Sequence, residues 1–416
     1  MKVVLAYFLL ISGLALAQTK PTSQAEPKSV TVPATIDHNR VIVDADVLLP
    51  DNTWHSVHAW VDNGNPELEM SRKVSTMLAL PVTCGDQECS APPPRQIAVG
   101  GMLLNLTGLK SAKLPLKPVS ASHILAAGMD VDINLPASVL RQYDVLINFP
   151  EHKFTLGVPG TIRFAGSSSR VQVNAANGLI EVPSQIEKKK MNLALDLGSC
   201  ISFLSEDLFD SLAKAHPDWP HMTGAVGSAN MWGGDAETSW KVMRVARLQY
   251  GPLFLTDVAE VALSKNVMDF LEKRAAMPTS GIVGSNVLLN YRVGLDYAHS
   301  MVYFDIGRLF NFPDFDVIGL VLRPEDDGRF RILGIADPDA KPSLPSGPDG
   351  VQPGDYLIAV NGIPVRGVTM GQVWSMLGGT PGQERRLTIE RGGKTSTVIA
   401  NVQHFLGAVE SDEKKK

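Results

Sequence analysis

The chain has 416 residues, of which 44% are hydrophobic and 19% charged, so it is long enough for several globular domains. Its 38 basic and 43 acidic side chains leave a formal charge of −5, which argues against a dedicated nucleic-acid binder. Three cysteines are too few for a disulfide scaffold.

The first residues read as an export signal. Lys2 is followed by the apolar run Val3 to Leu16, and Ala15-Leu16-Ala17 supplies a small-x-small cleavage site. Residues 1–17 are therefore expected to be a signal peptide, with a mature chain exported to a bacterial periplasm or secreted, and without a membrane span. Residues 18–32 are polar and contain proline, and read as a linker. From Pro33 onwards, short alternating strands are separated by Gly and Pro turns. Helix patterns are few: Glu206 to Ala215, Val267 to Ala275 and Met370 to Leu377.

Within 33–308 the sequence echoes itself. Val139-Leu-Arg-Gln-Tyr143-Asp-Val-Leu aligns with Val287-Leu-Leu-Asn-Tyr291-Arg-Val-Gly. An earlier pair of words, Asp62-Asn-Gly64 and Asp196-Leu-Gly198, has the same order in each half. Each Asp ends an apolar alternating stretch (Val57, Ala59 and Val61; Leu193 and Leu195). A carboxylate at the end of a buried strand is costly unless something uses it. Gly64 and Gly198 allow tight turns. If the two turns face one another, the carboxylates share one proton, and the pair can activate water against a carbonyl. Cys84 and Cys89, five residues apart, either close a small disulfide loop or stand as free thiols; Cys200 is expected to be single and buried.

The region 33–308 thus resembles the two-lobed pepsin-like and retropepsin-like aspartic proteases, which carry Asp-Thr/Ser-Gly in each lobe. The resemblance implies a mainly β fold with a duplicated β-barrel, lobe 1 at 33–158 and lobe 2 at 159–308. It implies a dyad of Asp62 and Asp196, supported by Asn63, Gly64, Gly198 and Ser199. Gly281-Ile-Val-Gly284 resembles the strand that crosses behind the catalytic loop, with Pro136 in place of its glycine in the first half. Gly100-Gly101 and Gly233-Gly234 fall where flap hairpins are expected. The departures are in the middle position of each motif. Asn63 is able to replace the loop-locking hydroxyl residue, whereas Leu197 is not. Two readings follow: an exported endopeptidase, or a catalytically inactive scaffold.

Residues 315–406 resemble a PDZ domain, a small α+β unit, through Gly350-Val-Gln-Pro-Gly354-Asp355, the strand after it, Asn361-Gly362, and the helix near Met370. Such a unit implies capture of peptide or protein termini by Ile318, Gly319, Leu320 and Val321 together with Met370 and Val373; Trp374 reads as core. Residues 407–416 read as a disordered tail. The expected partners are peptides or unfolded proteins, the chain is expected to be a monomer, and no cofactor or metal is implied. His55 and His58 lie three apart on a strand and so face opposite sides. No Gly-x-Ser-x-Gly elbow is present.

Overall fold

A computed structural model describes residues 27–86, 88–115, 128–307, 315–338, 348 and 350–409. The expected signal peptide, residues 1–17, lies outside these residues. Among them the chain is mainly β, and no helix is long and apolar enough to cross a membrane.

Each half is organised around one long hairpin. In the first, Arg40–Leu48 pairs antiparallel with Trp54–Asp62. The alternation of Val57, Ala59 and Val61 turns one face into the core, as a period of two requires. In the second half, Ile180–Ile186 pairs with Lys189–Leu195. A short strand then runs parallel to the outgoing arm of each hairpin: Ile133–Pro136 beside Ala59 to Asp62, and Gly281–Val283 beside Ala194 and Leu195. The halves are joined by a six-stranded sheet to which both contribute. Its order is Ser29–Pro33, Lys153–Gly157, Asp144–Asn148, Tyr291–Asp296, Met301–Ile306, Ser167–Arg170. The central pairing sets Asp144 opposite Asp296. The echo of Tyr143 and Tyr291 in the sequence thus marks the two strands that meet here.

Ser29–Pro33, expected within a linker, is instead the outer strand of this sheet, paired with Lys153–Gly157. Val30 and Val32 alternate inward against the core, a strand signal that the polar neighbours mask. Of the expected tail, residues 407–409 are described. The Val409 amide donates to Asp257 Oδ1 at 2.8 Å, and Val409 packs on the core.

The C-terminal unit is a twisted sheet with Leu320–Pro324 at one edge, followed by Phe330–Ile335, Tyr356–Val360, Glu384–Arg391 and Lys394–Asn401. Helix Met370–Leu377 starts in a capping box, with the Thr369 hydroxyl accepting the Gln372 amide. This unit is not a separate bead. Asp337–Pro338 pairs with His221–Thr223 of the second half's nine-stranded sheet. One apolar cluster also runs from Ile201, Phe203, Val226 and Met231 into Phe315, Leu322 and Trp374.

Candidate active site

Asp62 closes the strand Trp54–Asp62, and Asp196 follows directly on Lys189–Leu195. The two turns are built alike. The Ala137 amide donates to the Asn65 carbonyl at 2.8 Å, and the Ser285 amide donates to the Ser199 carbonyl at the same distance. In each half, a residue just past the parallel strand thereby holds the far side of the aspartate turn.

The turns face one another. A methyl group placed on Gly64 would lie 2.1 Å from Asp196 Cγ, and one placed on Gly198 would lie 2.5 Å from Asp62 Oδ1. Each glycine is the seat of the other turn's carboxyl group. Neither has left-handed backbone, so the demand for glycine is one of space. Asp62 is 3% exposed, whereas Asp196 is only partly buried.

Asn63 is the link between the turns. Its Nδ2 donates to the Leu195 carbonyl at 2.8 Å, and its Oδ1 accepts the Leu197 amide at 2.7 Å. One side chain therefore reaches across with both a donor and an acceptor. Leu197 returns nothing polar; it is fully buried in the core. Ser199, expected to support Asp196 through its hydroxyl, donates that hydroxyl to the Ile201 carbonyl at 2.6 Å. Asp196 is instead held by backbone: the Gly198 amide donates to its Oδ1 at 2.8 Å. On the other side, Asn134 Nδ2 donates to Asp62 Oδ2 at 3.3 Å.

Burial raises Asp62 well above the ordinary carboxyl range, and the neighbouring charges of Asp196 and Glu69 push it further up. Burial also raises Asp196, to about 6, against the pull of the Gly198 and Ser199 amides and of Arg40 and Arg274. The environment thus favours a proton on Asp62 while Asp196 ionises. A pair of this kind can give a proton with one carboxyl and take one with the other.

Several residues around the pair carry no signal in the motifs. Arg40 is fully buried. Its Nη2 donates to Cys200 Sγ at 3.2 Å and to the Met231 carbonyl at 2.8 Å, and its guanidinium lies 5.9 Å from the Trp60 ring centroid. Asn65 donates to Glu69 Oε1 at 2.8 Å, and Arg274 donates to both Asn65 Oδ1 and Glu67 Oε2. A polar residue in the apolar word Ile133-Asn134-Leu135 was the one available clue to Asn134.

The remaining expected residues lie elsewhere. Gly100, expected at a flap tip, sits against Val30 and Val32 of the first strand, with open space around Gly101. Gly233 sits against Leu322 to Pro324 of the C-terminal unit, and Gly234 faces open space. Cys84 and Cys89 form a disulfide, and Cys200 is free and buried. Ile318 and Leu320 were expected to help capture a peptide terminus. The Ile318 amide instead donates to the Leu377 carbonyl at 3.1 Å, and the Leu320 amide to the Ile318 carbonyl at 2.8 Å. Gly319 lies on the Phe405 ring, and Val321 is buried. Met370 and Val373 are fully buried in the core, where a groove face was expected.

A comparison of the sequence with models of known protein families finds no match, and a comparison with curated protein sequences finds none either.

Proposed function

We propose that the chain is an aspartic-type endopeptidase, built as a two-lobed pepsin-like unit followed by a PDZ-type unit, in which Asp62 and Asp196 hydrolyse peptide bonds of exported or unfolded proteins. The observation that carries this reading is the reciprocal seating of each carboxyl group on the other turn's glycine, at Gly64 and Gly198. Two carboxyls brought so close, one of them buried and the other partly so, have no structural use that a hydrogen-bonded neutral side chain would not serve at lower cost.

In the proposed step, the Asp196 carboxylate takes a proton from a water molecule while the Asp62 carboxyl donates its proton to the substrate carbonyl oxygen. The water oxygen adds to the carbonyl carbon, giving a neutral gem-diol. Asp196, now protonated, gives its proton to the amide nitrogen, the C–N bond breaks, and Asp62 recovers a proton from the gem-diol. Atoms and protons balance over the cycle, and no covalent enzyme intermediate forms. The Asn63 bridge keeps the two carboxyls in register, because a loss of about 1 Å in such a site costs much of the rate.

The test is digestion of unfolded casein by the mature chain between pH 3 and 8, beside Asp62→Asn and Asp196→Asn. Cleavage abolished by either substitution supports the dyad. Cleavage that survives both, or a folded chain that cleaves at no pH, overturns it. Buried Leu197 favours a second reading, a non-catalytic scaffold for the C-terminal unit, and the same experiment separates the two.

A further inference from the structure

Leu320–Pro324 is one of the two edge strands of the C-terminal sheet, and within that sheet it pairs only with Phe330–Ile335. An edge strand presents N–H and C=O groups that another extended chain can take up. Here the outward pair belongs to Leu322, and both groups are already used. The Leu322 amide donates to Asn230 Oδ1 at 3.1 Å, and Asn230 Nδ2 donates to the Leu322 carbonyl at 3.0 Å. A side-chain amide donating and accepting at one residue reproduces what a single peptide unit of an added strand would do.

Asn230 is itself locked. It is fully buried, it also donates to Glu237 Oε2, and its carbonyl lies 3.0 Å from His38 Nε2. Its neighbours are fastened to the turn that carries Asp196. Cys200 Sγ donates to the Ser228 carbonyl at 3.1 Å, Arg40 Nη2 donates to the Met231 carbonyl, and the Ser199 hydroxyl lies 3.6 Å from Met231 Sδ. Beside this segment a cavity of about 630 Å³ remains open, lined by Gly227 and Ser228 on one side and by Trp374, Ser375 and Gly378 on the other. The cavity therefore lies beside the segment that would have to move.

We infer that the segment around Asn230 is an internal ligand of the C-terminal unit, and that an extended peptide binds the Leu320–Pro324 edge by displacing it, loosening the Asp196 turn as it does so. The inference rests on the reading of this unit as a peptide-binding module. It does not require that the dyad cleave anything. The covered edge explains a buried Asn that makes no contact with either aspartate, and its attachments explain how the two sites can sense one another.

The test uses the full mature chain carrying Asp62→Asn, so that peptides survive whatever the dyad does. A pool of random decapeptides is offered to this chain with and without Asn230→Ala, and the retained peptide is measured. Removing the internal ligand is expected to raise retention at least ten-fold. Equal retention in the two chains, including none in either, overturns displacement. Because Asn230→Ala also strips partners from Glu237, a second measurement needs no substitution there. By hydrogen exchange, the Leu322 amide of the unaltered edge is expected to be protected like the inner strand Phe330–Ile335, and to lose that protection in His38→Ala. Exchange of Leu322 at the rate of an open edge overturns the capping. Adding the pool is expected to speed exchange at residues 197–201. If those amides do not respond while 227–231 open, the coupling is wrong.

Discussion

Asn63 gives the sharpest prediction, because its one side chain bonds across the two turns as both donor and acceptor. Asn63→Leu keeps the branching of the side chain and removes both cross-turn hydrogen bonds. The Leu195 carbonyl and the Leu197 amide are then left without the partners they have at 2.8 and 2.7 Å. Asn63 is fully buried, so water is poorly placed to replace it. An orphaned buried backbone group costs about 1–3 kcal/mol, so two cost about 4 kcal/mol together. Asn63→Asp should show which half of the bridge matters. It can still accept the Leu197 amide but cannot donate to Leu195, and it adds a third carboxyl beside Asp62 and Asp196. Urea unfolding at pH 5 and pH 8 measures both. We expect a loss of about 4 kcal/mol for Leu at either pH, and for Asp a loss that grows with pH. A loss below about 1 kcal/mol for Asn63→Leu would refute the argument that this side chain holds the two turns together.

Other outcomes follow from the same geometry. Asp196 has an ordinary value of 3.8 and a folded value of about 6, so its contribution is whole below about pH 4 and is lost as pH rises through 6. At about 1.36 kcal/mol per tenfold change in proton affinity, Asp196→Asn should therefore add up to about 3 kcal/mol at pH 7 and little at pH 4, read as the shift in urea midpoint; equal pH dependence in both chains would contradict it. Gly64→Ala drives a methyl into Asp196 and should cost about 1–3 kcal/mol and abolish any casein cleavage. Gly234→Ala, with open space at its Cβ and ordinary backbone, should change stability by less than about 0.5 kcal/mol in the same urea unfolding. Replacing Cys84 and Cys89 by Ser opens a loop with a sequence separation of 5, and should cost about 2 kcal/mol, measured by urea unfolding under oxidising conditions.

The two aspartate turns were legible because their signal is local: an alternating strand, a carboxylate and a glycine within a few residues. What surrounds them was not, because it comes from far along the chain. Arg40 follows Asn39 in what looks like a solvated turn, and only the approach of Cys200 and Met231 makes it a buried cation. Asn63 could be proposed as a substitute from its polarity, but its double hydrogen bond depends on where Leu195 and Leu197 lie. Ser199 shows the reverse error. Its hydroxyl was available in the sequence and is used on Ile201 instead. The first strand was missed because Ser29, Thr31 and Pro33 dilute its hydrophobicity, although Val30 and Val32 keep its period. The glycine pairs at 100 and 233 were read by composition alone, and composition cannot tell a turn over a cleft from one packed on a neighbour.

The sheet shared by the two halves has a consequence for how the chain is made. Asp144–Asn148 is finished early, yet the strand that covers its free side, Tyr291–Asp296, comes about 150 residues later. During synthesis the first half must wait with one edge of its sheet unsatisfied, and contacts of such long sequence separation form slowly. An open edge is satisfied by any strand of similar register, and the nearest concentrated supply is the same edge on another emerging copy. The first half on its own should therefore pair with itself through Asp144–Asn148. In the full chain, it is the tether to the second half that makes the internal partner win.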